Sequence, residues 1–223
     1  MKKEILSFLP NDSSLLQFER ELWSAGYLFI AGVDEAGRGP LAGPVVSAAV
    51  ALRKSQVRFP AVFDSKQVSA RRRKELSNML KSDENFIISV VELSAEEIDR
   101  INILKATHKA MREALAKIAG LEFALIDGLP VGGLPCRSKA IVKGDSKSAL
   151  IAAASIIAKV RRDEIMEELS IKYPEYGFEN HKGYGTSAHV EAIRKFGPCR
   201  EHRKSFEPVK SILTSTEQLE INL

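Results

Sequence analysis

An apolar, strand-forming run, Ile30-Ala31-Gly32-Val33, ends abruptly in two adjacent carboxylates, Asp34 and Glu35, and a glycine-flanked arginine follows in Gly37-Arg38-Gly39-Pro40. No other segment constrains the chain as much. A buried strand does not run into two negative charges without compensation, because an unpaired buried carboxylate is costly. Carboxylates at a strand end can instead hold hard divalent cations, which prefer oxygen ligands. Gly37 and Gly39 leave the backbone bare, so a phosphate or sugar can approach it closely. Arg38 adds a forked, permanently charged donor for oxyanions. Metal ligands beside a polyanion-binding loop point to metal-assisted phosphodiester chemistry. Asp-Glu alone would suit an acidic turn; the attached Gly-Arg-Gly-Pro favours the functional reading.

The rest of the chain reads as an α/β domain. Ser13 or Ser14 can cap a helix to about Ala25, with Leu15, Leu16, Phe18 and Leu22 on one face and Gly26 to end it. Residues 28–33, 44–52 and 86–93 read as strands. A basic helix over 69–82 carries Arg71, Arg72, Arg73 and Lys74, which read as a solvated face. A long helix is expected over 95–119. Short strands are expected at 123–126, ending at Asp127, and at 140–142, before Gly144-Asp145. The helix from Ser148 to about Ile171 is apolar nearly all round at its start, which marks it as central and buried. Shorter helices are expected over 187–195 and 209–218. Strands first, then strands alternating with helices, give a mixed sheet flanked by helices. With 223 residues, the chain is one domain with appendages: a helical extension over 1–27, a main domain over 28–214 and a tail over 215–223.

Apolar residues make up 44% and charged residues 28%, which suits a packed core rather than disorder. The net charge of +4 is compatible with nucleic acid without requiring it. Cys136 and Cys199 have no paired spacing, so neither a zinc site nor a disulfide framework is indicated, and a reducing cytosol is the default. No apolar run reaches the length of a membrane span, and Pro10, Asn11 and Asp12 interrupt the start too early for an export signal.

Asp34, Asp127 and Asp145 all follow strand-like runs or sit at a strand-to-helix turn, where sites collect in such sheets. Each has a plainer role when read alone. Asp127-Gly128 suits a turn, and Asp145 could cap the apolar helix. Together with Glu35 they make a set of carboxylates for two cations, one activating the attacking water and the other stabilising the leaving 3′ oxygen. If the strands bearing Asp34 and Asp127 are parallel neighbours, their carboxylates converge on one edge. Asp163 is excluded, because it lies about 27 Å along a continuous helix from Asp145.

The strings at 34–44 (DEAGRGPLAGP), 64–66 (DSK), 143–163 (KGDSKSALIAAASIIAKVRRD) and 181–186 (HKGYGT) resemble, in order, the motifs of bacterial ribonuclease HII, the type-2 ribonuclease H family. The resemblance covers about residues 15–210. It implies a ribonuclease H-like fold with a mixed five-stranded sheet. It also implies a metal-dependent endonuclease, using Mn²⁺ or Mg²⁺, that cleaves RNA in RNA–DNA hybrids and cuts 5′ to single ribonucleotides embedded in duplex DNA. Products would carry a 3′-hydroxyl and a 5′-phosphate. The four acidic ligands of the family fall on Asp34, Glu35, Asp127 and Asp145.

Distinguishing RNA from DNA requires reading the 2′-hydroxyl. The family assigns that task to the loop matching Gly37, Arg38 and Gly39, and by resemblance Tyr184 senses the RNA-to-DNA step on the 3′ side. Read without the resemblance, Tyr184 is an aromatic between glycines, either free to stack on a sugar or base or an ordinary loop residue. Lys66, Lys143, Lys147 and Lys182 are candidates for phosphate contacts, which position a duplex without reading its sequence. Arg200, His202, Arg203 and Lys204 form a second basic cluster, a duplex contact or a soluble loop. His181 and His189 read as surface or capping groups.

The end of the chain, Gln218-Leu219-Glu220-Ile221-Asn222-Leu223, resembles peptides that dock on bacterial sliding clamps, and reads equally as a helix end packing its leucines. A cytoplasmic monomer is expected. Three rival readings compete with this one. Type-3 ribonuclease H usually has a large N-terminal domain, and a lysine in place of Arg38. A non-catalytic nucleic-acid-binding protein would tolerate Asp34→Asn. A nucleotide-binding metabolic enzyme lacks support, because Gly37-x-Gly39-x-x-x-Gly43 has the wrong spacing and no Gly-Lys-Ser/Thr loop exists.

Overall fold

The computed structural model describes residues 13–52, 59 and 68–221. A short 3-10 turn, Ser14–Leu16, leads into helix α1 (Gln17–Ser24), and the Ser13 hydroxyl caps the turn by accepting from the Leu15 N–H. Strand β1 (Ile30–Ala36) and strand β2 (Val45–Leu52) follow, then α2 (Ala70–Ser82), capped by Ser69, and β3 (Phe86–Leu93). Where the sequence predicts one helix over 95–119, the structure has two, α3 (Ala95–Ile101) and α4 (Ile103–Ala116). Asn102 breaks them with φ +67, and its side-chain oxygen accepts from the Lys105 N–H at 3.0 Å. A short polar side chain tolerates that left-handed backbone and caps the helix that follows.

Strand β4 (Phe123–Asp127) stands where expected. The last strand, β5 (Arg137–Ile141), begins earlier than the expected 140–142. Arg137, Ser138 and Lys139 are exposed, so this strand lacks the apolar run that betrays the others. A 3-10 turn, Gly144–Ser146, precedes α5 (Ala149–Lys172). The chain ends in α6 (Phe178–His181), α7 (Ser187–Phe196) and α8 (Val209–Ile221).

The five strands form one mixed sheet in the order β3-β2-β1-β4-β5, with flanking helices. β1 and β4 are parallel neighbours, with Val33 opposite Ile126, and β5 lies parallel on the far side of β4. Every residue of β2 is buried. Among the described residues no helix is long and apolar enough to cross a membrane.

The described residues gather into two compact units. One is drawn from Met1–Glu35, Ser47–Val91 and His108–Val160, and the other from Ala36–Val46, Glu92–Thr107 and Arg161–Leu223. In the first unit, the start of α5 lies directly on β1. A Cβ at Gly32 would overlap the backbone of Leu150 and Ile151, so only glycine permits that approach. The same helix start is tied to α1. Glu19 is fully buried, and its Oε1 accepts from the Ser148 hydroxyl at 2.5 Å and the Leu150 N–H at 3.0 Å. Burial raises the Glu19 pKa, and these bonds oppose the rise.

The second unit packs Leu41, Met166, Tyr176, Phe178, Ile193 and Val209 into one core. The sequence reads His189 as a surface or capping group and His202 as part of a basic cluster, but both belong to that core, 0% and 1% exposed. His181 is half-buried, with its ring stacked 4.3 Å from that of His189. The hydrogen bonds determine the tautomers. The Tyr184 carbonyl can only accept, so His189 Nδ1 carries the proton at 2.9 Å. His189 Nε2 then accepts from His202 Nε2 at 3.0 Å, and His202 Nδ1 accepts from the Cys199 N–H at 3.0 Å. A proton added anywhere would set two donors face to face.

Burial pushes His189 and His202 down to about 4, and the positive charge that each would feel from a neighbouring histidine adds to this. The unfolded chain takes up these protons below about pH 6.5, whereas the folded pair refuses them until about pH 4. The stability that depends on the neutral pair is therefore complete above pH 6.5 and lost as pH falls toward 4. The loss should be on the order of 3 kcal/mol for a histidine titrating alone. Urea midpoints between pH 7.5 and 5 should fall, and His202→Gln should flatten that fall. Equal slopes in both proteins would refute the neutral-pair account.

Candidate active site

Asp34 and Asp127 stand one residue beyond Val33 and Ile126, the last residues that β1 and β4 pair with each other. Parallel pairing therefore brings both carboxylates to the same end of adjacent strands. Asp34 is 6% exposed and Asp145 7%, whereas Glu35 and Asp127 are half-buried. The Asp34 carboxylate accepts from the Glu35 N–H at 2.7 Å and from the Ser155 hydroxyl, while its carbonyl accepts from the Ser47 hydroxyl at 3.0 Å. Asp127 Oδ1 accepts from the Gly144 N–H at 2.6 Å. That bond ties the end of β4 to the turn that carries Asp145. Thus Asp34, Glu35, Asp127 and Asp145 come from one unit: Glu35 and Asp127 lie close enough to Asp34 to act on its charge, and Asp145 follows the Gly144 that binds Asp127.

Burial, then the negative charges of Glu35 and Asp127, push Asp34 well above the ordinary carboxyl range. Like charges crowded this way are relieved by a cation. The donors are all hard oxygens, which suit Mg²⁺ or Mn²⁺. Among the described residues no three His, Cys, Asp or Glu side chains enclose an ion by themselves. Mg²⁺ rarely asks for such a cage, since one or two carboxylates with water and substrate phosphate complete its shell. The donor set therefore fits ions that are shared with a phosphodiester.

The second unit holds the remaining candidates. Arg38 and Gly39 are exposed, and Gly37 is buried with φ +97. A Cβ at Gly37 would overlap Arg162 Nε, so both backbone angle and space demand glycine there. A Cβ on Gly39 would lie 3.8 Å from Tyr184 Cε1, so the exposed Tyr184 ring stands beside the loop. The structure thus brings Gly37, Arg38, Gly39 and Tyr184 together.

The lysines differ. Lys143 is exposed, with a left-handed backbone at φ +56. Lys147 bonds the Val142 carbonyl at 2.9 Å, and Lys182 pairs with Glu167 at 2.9 Å. Lys66, with the Asp64-Ser65-Lys66 string, lies outside the described residues.

The expected basic cluster divides. Arg200 pairs with Glu96 at the surface, but Arg203 is 0% exposed and His202 is buried, so neither is free to meet a duplex. Sequence reasoning also passes over Arg162, only 1% exposed. In the sequence, Arg161-Arg162-Asp163 and Arg203-Lys204 look like ordinary surface charge, and no local signal separates the buried member of each.

A model of the ribonuclease HII family matches residues 31–209. A ribonuclease HII of Chlamydia pneumoniae is 49% identical over 211 residues, covering 94% of this chain and 95% of its own. The crystal structure of ribonuclease H2 from Pyrococcus horikoshii OT3 superposes with a TM-score of 0.71 at 27% identity, covering 85% of this chain and 99% of that one. The ribonuclease HII of Archaeoglobus fulgidus, solved in complex with PCNA, gives a TM-score of 0.66 at 27% identity over 81% of this chain and 96% of its own. The matched span contains both the four carboxylates and the glycine loop, and by sequence and fold the chain belongs to the ribonuclease HII family, endonucleases of the ribonuclease H type.

Proposed function

We propose that this enzyme hydrolyses the RNA strand of RNA–DNA hybrids and cuts 5′ to single ribonucleotides embedded in duplex DNA. The observation that carries the reading is the placement of Asp34 and Asp127 just past the last residue pair of two adjacent parallel strands. Water adds to phosphorus, the bond to the 3′ oxygen breaks, and the products are a 3′-hydroxyl and a 5′-phosphate. Asp34, Glu35, Asp127 and Asp145 would hold divalent cations, Mg²⁺ or Mn²⁺, which when bound supply Lewis-acid polarisation and charge neutralisation.

The protein's own groups do the positioning. Ser155 and the Glu35 N–H orient the Asp34 carboxylate, and the Gly144 N–H orients that of Asp127. Such partners hold ligands in place and tune them. In the sequence the loop Gly37-Arg38-Gly39 follows Glu35 after a single residue, and its bare backbone suits a close reading of the 2′-hydroxyl. Tyr184, beside Gly39, offers an exposed ring to the neighbouring sugar.

The test is cleavage of a labelled DNA duplex holding one ribonucleotide, in Mg²⁺, Mn²⁺ or EDTA. An all-DNA duplex and a long hybrid run alongside. Cutting 5′ to the ribonucleotide is expected with either metal and not in EDTA. Asp34→Asn should lose more than about 100-fold in kcat/KM, since even changes to groups behind metal ligands cost 10–100-fold. Metal-independent cutting, or an unaffected Asp34→Asn enzyme, would overturn the site.

Lys143 is proposed to contact a phosphate. Lys143→Ala should weaken binding equally for hybrid and all-DNA duplexes, and should reduce the slope of log K against log salt by about 0.9. An unchanged slope would remove Lys143 from the interface.

The segment 218–223 is proposed to dock on a sliding clamp, and its side chains lie outside those described. Its spaced apolar residues and the PCNA complex of the Archaeoglobus relative support this. Deleting these six residues should abolish co-elution with the clamp and leave cleavage of a short duplex unchanged. Clamp binding that survives the deletion would refute it.

A further inference from the structure

Arg203 and Arg162 are both buried, and among the described residues each guanidinium is held by backbone carbonyls rather than by a salt bridge. Arg203 Nη2 donates to Gly37 O at 2.5 Å and Gly43 O at 2.9 Å, Nη1 to Arg38 O at 2.9 Å, and Nε to Gly43 O at 3.1 Å. Arg162 donates to Ala42 O at 3.1 Å, Pro44 O at 3.2 Å and Lys182 O at 2.9 Å. The Arg203 N–H takes Leu41 O at 2.8 Å. Between them, two arginines hold six of the carbonyls in the segment 37–44.

This arrangement has a directional consequence. In a planar trans peptide the carbonyl of one residue and the N–H of the next point in opposite directions. The peptides after Gly37 and Arg38 are trans. With both carbonyls drawn to Arg203, the N–H groups of Arg38 and Gly39 are aimed away from it. Arg38 and Gly39 are also the exposed residues of the loop, and the Tyr184 ring stands beside Gly39. Consecutive N–H groups facing one way make a small concavity for an electron-rich oxygen.

We propose that Arg203 is a positioning residue for ribose discrimination, holding the Gly37 and Arg38 carbonyls inward so that the N–H groups of Arg38 and Gly39 meet the 2′-oxygen of the ribonucleotide. This rests on the proposed cleavage at embedded ribonucleotides. Only a planar fork with its donors spread over three nitrogens can serve Gly37, Arg38 and Gly43 at once; a lysine ammonium is a single point. Arg162 serves as the internal comparison, because its carbonyls lie outside the Gly37–Arg38 pair.

The experiment measures binding to two duplexes, one with a single ribonucleotide and one all-DNA, with Ca²⁺ in place of Mg²⁺. The wild-type protein, Arg203→Lys and Arg162→Lys are compared. Arg203→Lys should lose about tenfold of the preference for the ribonucleotide duplex, as one or two hydrogen bonds would, while all-DNA affinity holds. Arg162→Lys should lower the melting temperature and keep the preference. A structural role alone would weaken both duplexes together in Arg203→Lys, and that result, or an unchanged preference, would overturn the proposal.

If Arg203→Lys does not fold, amide hydrogen exchange of the wild-type protein decides. The Arg38 and Gly39 amides should gain protection with the ribonucleotide duplex and not with all-DNA. Equal protection in both, or none in either, would refute the assignment. A wild-type protein that neither prefers nor cuts the ribonucleotide duplex would instead refute the proposed function itself.

Discussion

The parallel pairing of β1 with β4 is the constraint on which the acidic site depends. Two strands far apart in sequence pair up to the same level, and in each an aspartate follows the last pair they share. Nothing local would hold two carboxylates together, since they repel. The ladder does so, reinforced by the close seat of α5 on Gly32 and by the bonds from Ser155 and Gly144. Burial and crowding make the ionised Asp34 costly. A divalent cation held there, as proposed, would offset the repulsion the fold has concentrated.

The second unit solves the opposite problem. Arg162 and Arg203 are buried positive charges whose guanidinium partners among the described residues are backbone carbonyls, and burial pushes Arg203 down to about 9, with Arg162 adding repulsion. A guanidinium at that value still carries its proton at neutral pH. Satisfied by carbonyls, it keeps its charge, whereas a salt bridge would cancel it. Positive charge beneath an exposed loop favours a polyanion above it. The surface lysines are weaker candidates for this task, because Lys182 is already paired with Glu167 and exposed pairs contribute little.

Much of the fold is legible in the sequence. β3 and the alternation of later strands and helices stand close to where apolar runs and caps place them, because those signals report burial directly. The misses share a cause. β5 hides because an edge strand need not be apolar. The division at Asn102 hides inside a long helical pattern, although an asparagine at a cap is a readable signal. His189, His202 and Arg203 read as surface or loop residues, and Arg162 draws no notice, because burial of a polar side chain depends on partners distant in sequence.

The sequence by itself determined the chemistry available here: four carboxylates at element ends, a glycine loop with a bare backbone, and a helix apolar enough to be central. Residue type and local spacing carry that information. The tertiary structure alone decided which groups meet. Strand register brings Asp34 to Asp127, the chain returns Tyr184 to Gly39, and Arg203 reaches back to the carbonyls of Gly37 and Arg38. Contacts across such separations are set by pairing and packing of whole elements, which no local pattern encodes.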